Sequence, residues 1–86
     1  MTTDSPKRIM AKEAATIAMG YYRDVTGDRG PVNVEEIELD DDDEFWLITL
    51  SHQEQNSMVY NDKLMLKAFK IGAYSGEVLS MKIRKV

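Results

Sequence analysis

The chain has no cysteine, which removes a disulfide framework, a thiolate zinc site and a cysteine nucleophile at once. That absence fits a reducing compartment. There is one histidine, His52, so no paired-histidine metal spacing exists. Long apolar runs are also missing: Met1 to Arg8 is polar, and the apolar positions that follow are interrupted by Lys12 and Glu13. Neither a signal-peptide core nor a membrane span is written here, and a soluble, cytoplasmic protein is the expectation. No glycine loop opens a helix, because Gly27 and Gly30 are followed by Pro31 and an extended segment, so no phosphate cradle is expected. A basic excess is absent too. The formal net charge is -4, which argues against non-specific binding to nucleic acid.

What is present is one small domain's worth of chain, 86 residues, enough for a single modest core. Its charge is unevenly spread. Residues 1–62 carry 5 basic and 14 acidic side chains, net minus 9, and residues 63–86 carry 6 basic and 1 acidic, net plus 5. If the acidic and basic strands share a sheet, opposite charges on neighbouring strands help select the pairing, at roughly 0.2–1 kcal/mol per pair. Mutual neutralisation on a solvated face is the simpler reading, and a basic patch for an acidic partner is the other.

In chain order, residues 1–5 read as a tail. Ser5-Pro6 supplies an N-cap and a first-turn proline, which predicts a helix over about 6–26. Met10, Ala14, Ile17, Ala18, Tyr21 and Val25 recur at spacings of three and four and define its buried face. Of the neighbours Tyr21 and Tyr22, about 100° apart, one should be core and the other rim. Gly20 suggests a place where the helix meets a large side chain, with Trp46 as the occupant. Gly27 suits a left-handed cap.

The sheet is expected over about 32–85. Val32 and Val34 alternate, then Ile37 and Leu39 alternate one residue out of phase, so a β-bulge at Glu35-Glu36 would return both pairs to one face. Asp40 to Glu44 is five adjacent carboxylates, read as an exposed hairpin connection; calcium-loop spacing is absent, leaving a weak divalent-ion site as the lesser alternative. Phe45 to Leu50 is the central strand, with Trp46, Ile48 and Leu50 toward the helix and Phe45, Leu47 and Thr49 on the other face. Residues 51–62 read as a long loop, with Met58-Val59-Tyr60 as an apolar island. The last third is a hairpin: Phe69, Ile71 and Ala73 alternate before a turn at Tyr74 to Glu77, and Leu79, Met81 and Ile83 alternate after it.

The order of these features, with Trp46-Leu47-Ile48-Thr49-Leu50 followed by Ala73, Gly76, Glu77, Val78 and Leu79, resembles the PepSY-like domains. In those, a tryptophan strand precedes a turn of the pattern aspartate, alanine, any, any, glycine, glutamate or lysine, valine, leucine. Gly72 stands where the family commonly has aspartate. The resemblance spans about residues 7–84. It implies an α+β fold of PepSY-like or cystatin-like type, with one N-terminal helix on a four-stranded antiparallel meander, and an inhibitory, sensory or accessory role.

Chemistry is sparse. His52, with Ser51, Glu54 and Ser57 nearby in sequence, lacks a scaffolded nucleophile and orienting carboxylate, and is read as an exposed loop histidine. Lys67, Lys70, Lys82 and Arg84 beside Phe69 and Tyr74 resemble a nucleic-acid stacking platform only faintly. The expectation is therefore no enzyme, no cofactor, no metal, no nucleic acid and no membrane partner. A protein-binding module remains, whether inhibitor, immunity or accessory protein, with Phe45, Leu47, Met58, Val59 and Tyr60 as its contact residues. The partner is an unidentified protein or a second copy. The alternative is a sensor holding an apolar small molecule between helix and sheet.

Overall fold

A computed structural model describes residues 7–53 and 64–84, and its elements follow a simple order: α1 (Ala11–Thr26), β1 (Val32–Leu39), β2 (Phe45–Gln53), β3 (Leu64–Gly72) and β4 (Val78–Arg84). The strands pair β1-β2-β3-β4, all antiparallel, and α1 lies across one face of the sheet. This is the expected α+β meander.

The helix begins later than its sequence signals suggest. Ser5 and Pro6 precede the described residues, and the first helical residue is Ala11, with Met10 extended at the N-cap (φ -81°, ψ 157°) and no side-chain cap. Two tertiary hydrogen bonds explain the delay. The Ile9 N–H donates to Ala73 O at 2.7 Å, and Ile9 O accepts the Trp46 indole N–H at 3.0 Å. An Ile9 committed to the sheet end cannot be wound into a helical turn. At the other end Gly27 takes the left-handed conformation (φ 74°) and returns its N–H to Arg23 O, as expected of a glycine cap.

The buried helix face keeps Ala14, Ile17 and Ala18 of the one read off the periodicity and is turned away from its other three residues. Ala14, Ala15, Ala18 and Tyr22 are buried, whereas Met10, Tyr21 and Val25 are exposed. Small residues at 14 and 18 let the helix axis approach Ile48, Leu50, Phe69 and Ile71, which are themselves 0–2 % exposed. Of the two tyrosines Tyr22 is core, and Tyr21 meets Phe69 edge-on at 6.4 Å from the rim. Gly20 faces open space, not Trp46: a Cβ there would have no neighbour within 4 Å. Trp46 instead reaches along the sheet to the segment before the helix.

The bulge expected in β1 is present. The pairing with β2 shifts between Val34 and Glu36, and Val34 faces Leu50 while Ile37 faces Ile48, so both apolar pairs share the helix side. In β4 a second shift occurs opposite Lys70/Ile71. It places Val78 and Met81 on the helix side and throws Leu79 outward, so the simple alternation of Leu79, Met81 and Ile83 does not hold; Leu79 and Ile83 are exposed. β4 is an edge strand whose Val78 and Met81 pack against the core beneath the helix.

The two hairpin turns among the described residues are held by their own polar groups. Asp40 Oδ1 accepts the backbone N–H groups of Glu44 and Phe45 at 2.8 and 3.1 Å, so the acidic run is a closed turn in which one carboxylate faces inward. In the turn after β3, Gly76 has φ 72° and Ser75 Oγ accepts the Glu77 N–H at 3.1 Å. A Cβ on Gly72 would overlap Ser75 Oγ. Any side chain at this position, including the aspartate of the PepSY-like pattern, requires the Ser75 hydroxyl to turn away.

Candidate functional site

One face of the sheet is covered by α1 and the other is not. Because side chains alternate along a strand, Phe45, Leu47, Thr49 and Ser51 of β2 project onto the uncovered face. Register places Gly72, Lys70, Ala68 and Leu66 of β3 beside them, Glu36 and Glu38 on the β1 side, and Ser80, Lys82 and Arg84 on the β4 side. Of these, Glu36 and Glu38 of β1, Leu47 and Thr49 of β2, Ala68 and Lys70 of β3 and Ser80, Lys82 and Arg84 of β4 line a groove of about 430 Å³, and Phe45 lies beyond it on the same face. Its walls have opposite sign: carboxylates on β1, cations on β3 and β4. The sequence separation of acidic and basic halves thus becomes a polarity across one surface.

Several contacts fix that surface. The Arg84 guanidinium donates to Glu36 Oε1 from across the sheet, and also to Thr49 Oγ1 at 3.2 Å. The Ser51 hydroxyl donates to Glu35 Oε2 at 2.7 Å. These links cover the middle of β2, where Thr49 is 5 % and Ser51 0 % exposed, and leave the end at Leu47 open at 38 %. The Lys70 ammonium sits 4.3 Å from the centre of the Phe45 ring, a cation–π contact that half-covers Phe45. Of the five expected contact residues, Phe45 and Leu47 therefore lie together on the open face. Met58, Val59 and Tyr60 lie outside the described residues.

The second polar grouping was not foreseen. His52 is not a loop residue; it belongs to β2, and its side chain is 12 % exposed. It packs 5.0 Å from the Tyr22 ring, with Nδ1 3.8 Å from Asp28 Oδ2. Asp28 also accepts the Tyr22 hydroxyl at 2.5 Å and the Gly30 N–H at 2.8 Å. The Tyr22 hydroxyl lowers the Asp28 pKa, helped by the Gly30 N–H and the charge of His52. Burial, with the neighbouring carboxylate, pushes Tyr22 up to about 12. The signal in the sequence was strand phase: residues 46, 48, 50 and 52 fall on one side, and that side faces the helix.

This grouping is poorly built for catalysis. Ser51 and His52 are adjacent in a strand and point to opposite faces, with the Ser51 hydroxyl engaged by Glu35, so they form no nucleophile–base pair. Glu54 and Ser57 lie outside the described residues. Among the described residues no three histidine or carboxylate side chains are grouped as metal ligands. Phe69, the proposed stacking ring, is 2 % exposed beneath the helix and offers no platform to a base. No helix of the described residues is long and apolar enough to cross a membrane. No family model matches the chain, and no curated protein or solved structure matches it.

Proposed function

We propose that the chain is a non-enzymatic, cytoplasmic protein-binding module whose partner docks on the open sheet face over Phe45 and Leu47. The observation that carries this reading is the polarised groove: an apolar floor at Leu47 and Ala68, flanked by carboxylates on one side and cations on the other. Such a surface offers area, and its charges give a partner one orientation. The alternative, an apolar small molecule between helix and sheet, finds its space taken by Ala14, Ala18, Tyr22, Ile48, Leu50, Phe69 and Ile71. The PepSY-like turn pattern agrees with an inhibitory or accessory role, which acts by binding and not by turnover.

The test is a pull-down from native lysate with three baits: the natural chain, Leu47→Asp, and Val25→Asp on the exposed side of the helix. A stoichiometric partner retained by Val25→Asp and lost by a folded Leu47→Asp is the expected result. Equal capture by all three baits overturns the open face as the docking surface.

A further inference from the structure

The charge of the open face does more than vary across the sheet; it reverses about the sheet's midline. One row across the strands reads Glu36, Thr49, Ala68, Lys82 from β1 to β4. The next begins with Glu38, passes through Leu47, and carries Lys70 on β3. Arg84 of β4 leans across the face onto Glu36, which leaves Glu38 and Lys82 as the wall charges of β1 and β4 outside ion pairs among the described residues. A surface that is acidic on one side of a line and basic on the other is complementary to itself under a half-turn about that line.

We propose that the occupant of the open face is a second copy of this chain, related by a two-fold axis running along the strand direction between β2 and β3; this rests on the reading of that face as a docking surface. Such rotation lays β1 over β4 of the second copy. The acidic wall of each copy then meets the basic wall of the other, so the same contact occurs twice, as an isologous interface requires. The exposed apolar side chains Leu47 and Leu64 flank the same midline and are covered in the same step. A half-turn about the perpendicular in-plane axis would stack β1 on β1 and set glutamates against glutamates, so charge selects one of the two arrangements. Two aligned sheets packed face to face, about 10 Å apart, are an ordinary way to complete a sheet with one bare side.

Edge-to-edge association is blocked by the chain's own devices. β1 has a bulge at Val34/Glu36 and three glutamates, and β4 has a bulge at its start and ends in Lys82-Ile83-Arg84. Bulges and charges are the means by which edge strands are kept from pairing with other chains. The face is the surface left over for self-association.

The experiment uses Glu38→Lys and Lys82→Glu, since neither residue is in an ion pair among the described residues. Sedimentation equilibrium of the natural chain should show a dimer that weakens with added salt. Each variant alone sets like charges together and should dissociate about tenfold more readily or worse. An equimolar mixture should recover a 1:1 heterodimer, because the β1 wall of the Glu38→Lys chain then lies over the β4 wall of the Lys82→Glu chain, with the two substituted positions one row apart, and the reverse contact is natural. Circular dichroism confirms that both variants are folded. A natural chain that stays monomeric, or a dimer indifferent to both substitutions and to Leu47→Asp, overturns the inference. If a monomer still captures a different protein through Leu47, only the identity of the occupant is wrong. If capture is also insensitive to Leu47, the docking reading falls with it.

Discussion

Arg84, on the last strand, and Glu36, on the first, are bonded to each other across the open face although two strands lie between them. The twist natural to a sheet helps its outer strands approach one another on one face, and the same guanidinium also reaches Thr49 between them. The pair therefore reports the shape of the face. Both side chains are 52 % exposed, so the bond itself is worth little. A double-mutant cycle with Arg84→Met and Glu36→Gln, read from urea melts, should give a coupling of about 0.5 kcal/mol that fades in high salt. A coupling of several kcal/mol would mean that the pair holds the sheet's shape instead of reporting it.

Tyr22 and Asp28 predict a pH dependence with a definite sign. Tyr22 is raised from its ordinary value near 10 to about 12, so the folded state holds the neutral phenol more tightly than the unfolded chain does. Its contribution is complete below pH 10 and is lost as pH rises through 12, on the order of 2 kcal/mol in all. Asp28 is shifted the opposite way, so its contribution is present above the ordinary carboxylate range and lost as pH falls through the lowered value. Tyr22→Phe should be less stable than the natural chain at neutral pH, and the gap should close as pH climbs from 10 to 12. A gap of constant size across that range would show that neither burial nor Asp28 raises the phenol on folding.

The fold was legible where two periodicities agreed. Val32, Val34, Ile37 and Leu39 are out of phase by one residue, and only a bulge puts them on one side; the bulge is there. The helix face was read correctly at Ala14, Ile17 and Ala18 and misjudged at Met10, Tyr21 and Val25, because hydrophobic spacing ranks large apolar side chains with the core, while the face that the small Ala14 and Ala18 bring close to the sheet also buries Ala15 and Tyr22. Helix start was misjudged because Ser5-Pro6 is a local signal. The bonds that hold Ile9 extended come from Ala73 and Trp46, far away in sequence. Of the candidate site, Phe45 and Leu47 were legible from strand alternation. The charge reversal was visible only as a net difference between chain halves; pairing register turned it into two walls of one groove.

Gly72 and Ser75 make a local prediction about the β3–β4 turn. A Cβ at position 72 would meet the Ser75 hydroxyl oxygen, with the next neighbours at 3.6 and 3.8 Å. Gly72→Ala should therefore cost about 1 kcal/mol, chiefly by turning Ser75 Oγ away from the Glu77 N–H. In a Ser75→Ala background the same substitution should cost almost nothing further, since the obstructing atom has gone. Thermal melts of the two single variants and the double variant give the non-additivity directly. Additive costs would place the strain in the backbone and not in that contact.

Trp46 supplies the last prediction, because it joins three parts of the chain. Its ring packs against the core from a partly buried position, its indole N–H reaches Ile9 O, and the Ile9 N–H continues to Ala73 O, whose own N–H donates to Glu44 O at 2.9 Å. Trp46→Phe keeps most of the apolar contact and removes one hydrogen bond, so it should cost about 1 kcal/mol. Trp46→Ala adds the lost packing and should cost about 2–4 kcal/mol, less than a fully buried tryptophan would. The two differ in what else they disturb. If the indole holds the segment before α1 in place, Trp46→Phe should speed hydrogen exchange at the Ile9 amide well beyond the change at the Ile48 and Ile71 amides in the central strands. Uniform acceleration at all three would mean that Trp46 acts through global stability alone, and that Ile9 is anchored by Ala73.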